Sequence, residues 1–286
     1  MIDIRLYHGD MIEVLLREMA DESVDLIVTS PPYNVAVDYG VEVDDSKSLE
    51  DYARFANMAM SQMARVLKKG GRLCLEVGGS SRNFPMSYLW QDSAYKNELG
   101  LFSEIGLQHR KTNPCAWGSY LKADAVWTIP NFHLLYVFYK DTDRKASDGD
   151  TRITKDEWME WTRGYWKINW STGNNKHPAS FPVELPIRCM KLFGHSGDVV
   201  LDPFAGSGST GRACIAMGDV AFTGVEIVSK YFRQMERDLE FENAQMRLFD
   251  EDVLKATQIT VPTCSDNGYK LKQLSIFEQS ETGCLM

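Results

Sequence analysis

The chain lacks several features that would place it at once. No apolar run among its 286 residues approaches the ~20 needed to cross a bilayer as a helix. Met1-Ile2-Asp3-Ile4-Arg5 has neither the charged start nor the apolar stretch of a secretory signal. A membrane or secreted reading is set aside, and the cytoplasm is the expected compartment. Cysteine is sparse: Cys74, Cys115, Cys189, Cys214, Cys264 and Cys284 are scattered, with no C-x-x-C pair. That spacing speaks against a disulfide framework and a metal site, and for reduced thiols. There is no internal repeat and no excess of positive charge; 31 Lys+Arg stand against 40 Asp+Glu. The balance of −9 argues weakly against a nucleic-acid partner. Its distribution softens that. From Arg82 to Lys191 there are 15 Lys+Arg against 12 Asp+Glu, and in the remainder 16 against 28. A mildly basic middle between acidic ends is compatible with an insertion that faces DNA.

What is present begins with composition. Hydrophobic residues make up 44% and charged residues 25%, enough to bury a core in one large α/β domain with insertions or in two small domains. The most informative stretch is Thr29-Ser30-Pro31-Pro32-Tyr33-Asn34. It follows Val24-Asp25-Leu26-Ile27-Val28, which has the composition of a buried strand. Both prolines fix φ, and Pro32 forces Pro31 into an extended conformation. The plain reading is a strand terminator. The chemical reading is a rigid turn carrying a hydroxyl, free carbonyls and an aromatic ring. Such a turn suits a planar amine: Ser30 Oγ and the Pro31 carbonyl accept its two hydrogens, and Tyr33 stacks on the attached ring.

Taken in order, the pattern predicts strands at 4–8, 24–28, 72–77, 107–112, 132–139, 198–201 and 221–225. Helices are expected at 11–19, 48–67, 87–99, 180–193, 211–217 and 229–241. Asn34–Lys47 is acidic and without period, and reads as a loop. Residues 141–175 are irregular and rich in tryptophan. A short amphipathic helix from Lys155 would pack Trp158 and Trp161, leaving Trp166 and Trp170 open to stacking roles. Beyond Asn243 the period is lost, and Leu274-Ser275-Ile276-Phe277 is the part expected to dock on the body.

A second motif lies late in the chain. The strand at 198–201 runs into Asp202-Pro203-Phe204-Ala205-Gly206-Ser207-Gly208-Ser209-Thr210, then a helix, then a strand ending at Glu226. Strand, glycine loop, helix, strand and acid form a nucleotide-binding βαβ half. Gly206 and Gly208 let backbone approach a ligand, and Glu226 can hold both ribose hydroxyls. The loop has no lysine or arginine and offers little to a pyrophosphate. It suits a nucleoside that carries a charged amino acid.

The pair Thr29–Asn34 and Asp202–Gly208 resembles the amino-directed DNA methyltransferases, and the order, catalytic turn first and cofactor loop last, is that of their β class. His8-Gly9-Asp10, Ala116-Trp117-Gly118-Ser119-Tyr120 and His177-Pro178-Ala179-Ser180-Phe181-Pro182 agree with it. The resemblance covers roughly residues 3–242. One departure is His133, ahead of Leu134-Leu135-Tyr136-Val137, where relatives more often carry glutamate.

The resemblance implies a permuted, Rossmann-like sheet of seven strands, mostly parallel with one antiparallel strand. Strand 4–8 would lie beside 221–225, and 24–28 beside 199–201, bringing both motifs to one crevice. It implies a methyltransferase domain over 1–242 with an inserted target-recognition region at about 141–176, and a peripheral tail over 243–286. The cofactor implied is S-adenosylmethionine and the substrate double-stranded DNA, with a companion restriction endonuclease as a further expected partner. Catalysis would fall to Ser30, Pro31, Pro32 and Tyr33. Cofactor binding would fall to Asp10 near the adenine, Glu226 at the ribose, and Asp202, Phe204, Gly206 and Gly208 along the loop. Phe181 and Ser209 or Thr210 would lie at the methionine end. Plainer readings exist for three of these: Phe181 as core, and Asp10 or Ser209 as helix caps.

Within the family, Ser-Pro-Pro-Tyr goes most often with cytosine N4, and that is the expected target. Adenine N6 is the alternative. An RNA or protein-amide methyltransferase, a catalytically silent cofactor- and DNA-binding protein, and a dinucleotide-dependent oxidoreductase follow in that order.

Overall fold

The computed structural model describes residues 1–34, 46–78, 86–108, 117–118, 126–127, 132–145, 152–169, 181–248, 261–265 and 268–272. Most of the loop expected at 34–47, the 116–120 stretch apart from Trp117-Gly118, most of 177–182, and Leu274–Phe277 lie outside these residues.

The chain opens with β1 (Ile4–His8), and Asp10 caps α1 (Met11–Glu18) by accepting from the backbone of Ile12 and Glu13. β2 (Val24–Thr29) follows, buried almost throughout. α2 (Leu49–Val66) starts at Ser48, whose Oγ accepts from Asp51 N, with Glu50 and Asp51 in its first turn. The helix then passes straight into β3 (Leu67–Gly78). Gly70-Gly71 therefore lie within the strand. They absorb a register shift, from Val24 opposite Leu67 to Leu26 opposite Arg72, with Gly70 at φ +74°.

α3 (Met86–Lys96) and β4 (Leu99–Gln108) come next. The strand thus starts well before the expected 107–112. A short pair, β5 (Trp117–Gly118) and β6 (Val126–Trp127), precedes β7 (Phe132–Lys140). α4 (Lys155–Trp161) begins at a capping box between Thr154 and Glu157 and leads to β8 (Tyr165–Lys167). α5 (Glu184–Phe193), β9 (Val199–Asp202), α6 (Ser209–Met217), β10 (Ala221–Glu226) and α7 (Ser229–Leu248) complete the body. α7 runs through position 242, the expected end of the domain, and Asn243 hydrogen-bonds both the N–H and the carbonyl of Ile2. In the tail, β11 (Val261–Ser265) and β12 (Gly268–Lys272) form an antiparallel pair.

The main sheet has the order β1-β10-β9-β2-β3-β7-β4-β8. β1, β10, β9, β2 and β3 are mutually parallel, and β7 runs against both β3 and β4. This is the mostly parallel, permuted sheet expected from the sequence, extended by one strand. The addition is β8, which pairs parallel with the edge of β4.

Both faces of the sheet are covered, because β2 sends alternate residues to opposite sides. Leu26 and Val28 join Leu185, Cys189, Met190, Ala213 and Leu239 from α5, α6 and α7. Ile27 joins Leu15, Tyr52, Met60 and Trp90 from α1, α2 and α3. Each fully buried side chain of this size contributes about 1.5–3 kcal/mol, so β2 is the spine of the fold. Cys74, Cys189 and Cys214 are free thiols within this core.

Trp161 packs into the core as expected, whereas Trp158 and Trp166 exchange their expected roles. Trp166 is 1% exposed while Trp158 is 52% exposed. The cause is β8: edge pairing turns its middle residue inward and Tyr165 and Lys167 outward. Trp166 Nε1 then donates to the Trp161 carbonyl at 2.7 Å, and the Arg188 guanidinium lies 4.9 Å and 5.5 Å from the Trp161 and Trp166 rings. Trp166 is therefore unavailable for stacking on a base, and Trp170 lies outside the described residues.

Candidate active site

β9 and β2 are neighbours, so the two motifs meet at their carboxyl ends. Thr29, the last residue of β2, donates Oγ1 to Asp202 Oδ1 at 2.6 Å, and Thr210 donates Oγ1 to Asp202 Oδ2 at 2.6 Å. Phe204 N adds a third bond at 3.1 Å. Burial pushes the Asp202 carboxyl up to about 6, against the pull of those three donors. The sequence reading places Asp202 and Thr210 on the cofactor. The structure joins their side chains to each other, and through Thr29 they hold the loop against β2.

The glycine loop is shaped from two sides. Gly206 and Gly208 have φ of +53° and +84°, a region that side chains other than hydrogen resist. A Cβ on Gly208 would also meet Met235 Cγ at 2.9 Å, so this glycine serves packing against α7 as well as the turn. Ala205 N donates to the Val225 carbonyl and Gly208 N to the Ala205 carbonyl. Glu226 Oε2 accepts from Gly206 N at 2.8 Å and Oε1 from Val228 N at 2.7 Å. Burial leaves this carboxyl above its ordinary range despite both bonds.

The loop suits a polar ligand. Among the described residues, buried Ser207 Oγ, between the two glycines, has no hydrogen-bond partner, an arrangement that is costly unless a ligand or water completes it. Sequence reasoning passes over Ser207. Ser209 is buried in the first turn of α6, but the capping position falls to Gly208 and involves no side chain, so the capping alternative for Ser209 does not hold. Phe204 is half-buried and meets the Phe55 ring edge-on at 6.1 Å. β1 ends beside β10, where Gly9 N donates to the Glu226 carbonyl. Asp10 is therefore adjacent to the loop. Both of its capping bonds go to Oδ1, leaving Oδ2 for another donor. Phe181 is 7% exposed and packs into the core, in line with its plainer reading.

The catalytic turn carries a network that the sequence does not reveal. Thr29 pairs with Leu75 in register, which puts Ser30 alongside Glu76. Glu76 and Gly78 share one face of β3, and His133 at the start of β7 lies opposite Gly78. A Cβ on Gly78 would sit 3.3 Å from Tyr33 Cε2; the missing side chain makes room for the tyrosine ring between glutamate and histidine. Tyr33 Oη donates to Glu76 Oε2 at 2.5 Å, and His133 Nδ1 hydrogen-bonds Glu76 Oε1. Ser30 Oγ donates to Tyr33 Oη at 3.1 Å.

The order of donors follows from one charge. Burial pushes the Glu76 carboxyl up, but the hydrogen bond and charge of His133, with the bond from Tyr33, outweigh it and hold it below the usual range. An ionised carboxylate can only accept. Tyr33 must then donate to it, and Ser30 must donate to Tyr33. Burial, followed by the Glu76 charge, raises the Tyr33 phenol well above its ordinary value, so it keeps its proton. The Ser30 hydroxyl is thereby left as an acceptor toward the crevice. His133, the departure from the family pattern, contributes here by holding Glu76.

Among the described residues no helix is long and apolar enough to cross a membrane. The N6/N4 DNA methylase family model matches residues 24–237. Type II methyltransferase M.Cfr9I of Citrobacter freundii is 30% identical over 260 residues, covering 79% of this chain and 84% of its own. M.MjaVI of Methanocaldococcus jannaschii is 33% identical over 172 residues, covering 57% of this chain and 84% of its own. A Thermus thermophilus protein assigned as a DNA modification methylase, solved with S-adenosyl-L-methionine, superposes with a TM-score of 0.63 at 28% identity, over 84% of this chain and 95% of that one. The cytosine-N4-specific PvuII DNA methyltransferase superposes with a TM-score of 0.62 over 85% and 92%; at 18% identity it bears on the fold alone. The chain belongs to the N6/N4 DNA methylase family and is an S-adenosylmethionine-dependent methyltransferase of exocyclic amino groups on DNA.

Proposed function

We propose that the protein methylates the exocyclic N4 of cytosine in double-stranded DNA, with the target base turned out of the duplex. The observation that carries this is the Ser30 hydroxyl, a neutral acceptor whose proton is drawn toward Glu76 through Tyr33. Cytosine carries the N3 acceptor next to its amine, and a neutral hydroxyl repels it less than an aspartate at this position would.

Bound S-adenosylmethionine supplies a methyl group on a sulfonium, ready for in-line displacement. The chain's part is placement. Ser30 Oγ and the Pro31 carbonyl each take one amine hydrogen, which favours a pyramidal nitrogen with its lone pair aimed at the methyl. Orientation of this kind accounts for about 7–11 kcal/mol of a barrier. No strong base is needed beforehand, because the nitrogen becomes acidic only after transfer. Extruding the base costs a few kcal/mol, and a Tyr33 face contact worth roughly 1–3 kcal/mol offsets part of that. Glu226 is assigned to the ribose, Asp10 Oδ2 to the adenine amine, and Phe204 with the Gly206 and Gly208 backbone to the nucleoside. Ser207 and Ser209 are assigned to the methionine end.

Target recognition is assigned to the region around 141–176. Its described part is anchored by Trp161, Trp166 and Ile168 in the core, and exposes Trp158, Arg163, Tyr165 and Lys167. Aromatic and basic side chains together suit a DNA backbone. A cytoplasmic role beside a cognate endonuclease fits the Type II names of the relatives. The test is incubation of unmodified DNA with labelled S-adenosylmethionine, digestion to nucleosides and separation. Label in N4-methyldeoxycytidine is expected; label in N6-methyldeoxyadenosine alone would reassign the base and leave the fold standing.

A further inference from the structure

The catalytic turn has one more anchor, and it comes from the first turn of α2. Tyr52 is 2% exposed and Trp90 fully buried. Tyr52 Oη lies 2.6 Å from the Pro32 carbonyl and 3.0 Å from Trp90 Nε1, with Met86 Sδ also at 3.0 Å. An indole N–H can only donate, so Tyr52 accepts from Trp90. Its own proton goes to Pro32, the closer and stronger acceptor. Two bonds in series inside a core polarise one another.

This bond acts on the one torsion the prolines leave open. Their rings lock φ at Pro31 and Pro32, and Pro32 restricts Pro31 to extended ψ. The direction of the Pro32 carbonyl is set by its own ψ, which also decides where Tyr33 points. Three residues along the same helix, Phe55 meets Phe204 of the cofactor loop and, at 6.3 Å, Trp90. One helix face thus carries a polar contact to the catalytic turn and an apolar contact to the cofactor loop.

We propose that Tyr52 is a positioning residue for methyl transfer. Its hydrogen bond to the Pro32 carbonyl fixes ψ of Pro32, and so sets Tyr33 against Glu76 and leaves the Pro31 carbonyl and Ser30 Oγ as the pair that grips the amine. The proposal rests on Ser30 and Pro31 as amine acceptors.

The test compares Tyr52→Phe, Phe55→Leu and Ser30→Ala in the full chain. Label incorporation into unmethylated bacteriophage DNA gives turnover, calorimetry gives S-adenosylmethionine affinity, and melting gives stability. Tyr52→Phe should lower kcat at least tenfold with cofactor affinity within about twofold. Phe55→Leu disturbs the same aromatic cluster and should weaken the cofactor severalfold with a smaller change in kcat. Adding Tyr52→Phe to Ser30→Ala should cost much less than it does alone, since both act through one turn. Should Tyr52→Phe fail to fold, Trp90→Phe keeps the tyrosine, removes its donor, and should lower kcat severalfold. A lower melting temperature with unchanged kcat, in either variant, would reduce Tyr52 to packing. If Ser30→Ala itself kept full turnover, the amine grip would be wrong instead.

Discussion

Thr29 Oγ1 stands 2.6 Å from Asp202 Oδ1 across 173 positions of sequence, and this bond joins the residue before the catalytic turn to the first residue of the cofactor loop. It is 0% exposed on one side and 1% on the other. Thr29→Val keeps the shape and removes the donor. A bond to a charged group is worth roughly 1.5–3 kcal/mol, so the urea midpoint should fall by that equivalent. A midpoint equal to wild type would mean that the link contributes nothing net.

Asp202 also predicts a pH dependence. Its folded-state carboxyl is pushed up to about 6 from an ordinary 3.8. The folded state therefore holds the proton more tightly. The stability this contributes is fully present below the unfolded value and is lost as pH rises through about 6. Two units correspond to about 3 kcal/mol. Asp202→Asn cannot titrate, so its stability relative to wild type should improve by that order between pH 4 and pH 7. Denaturation curves across that window read the slope, which is independent of any fixed cost of the substitution. A flat difference would place the carboxyl at its ordinary value.

Glu226 holds two backbone N–H groups, Gly206 and Val228, besides any ligand. Alanine would unseat the loop along with the ribose contact. Glu226→Gln keeps the size and one acceptor, and is the cleaner test. S-adenosylmethionine affinity should weaken by roughly 1.5–3 kcal/mol, the range for a charged hydrogen bond. Unchanged affinity by calorimetry in a folded variant would remove Glu226 from the site.

Much of this architecture is legible in the sequence because short apolar runs and paired motifs encode it locally. β2 reads as a buried strand and Glu226 as a strand-end acid, and each is where its pattern puts it. What stays hidden depends on register. Nothing in Leu73-Cys74-Leu75-Glu76-Val77-Gly78 marks Glu76 as different from any acid at a strand end. Only the pairing of β3 with β2 and β7 brings it to Tyr33 and His133. Trp166 misleads for a related reason: a three-residue edge strand has too little sequence to show a period of two. The bond between Thr210 and Asp202, eight positions apart, stays hidden because a loop's internal bonds cannot be told from its external ones until the backbone is folded.

Glu76→Gln tests the direction of the hydrogen-bond chain. The carboxylate presents two acceptors, one to Tyr33 and one to His133. Glutamine presents one acceptor and one donor. If its NH2 faces Tyr33, the tyrosine must accept, and its proton turns to Ser30. Ser30 then accepts from Tyr33 and sends its own hydrogen into the crevice, where the amine needs an acceptor. Turnover should fall at least tenfold, each tenfold being about 1.4 kcal/mol, while S-adenosylmethionine affinity stays within about twofold. The sign of the pH effect is opposite to that of Asp202. A folded-state carboxyl held below its ordinary 4.5 contributes stability above that value and loses it as pH falls through the folded value. Wild type should therefore show an acid limb in stability below about pH 4.5 that Glu76→Gln lacks. Near-normal turnover in the glutamine variant would mean that Ser30 accepts the amine hydrogen without help from the charge on Glu76.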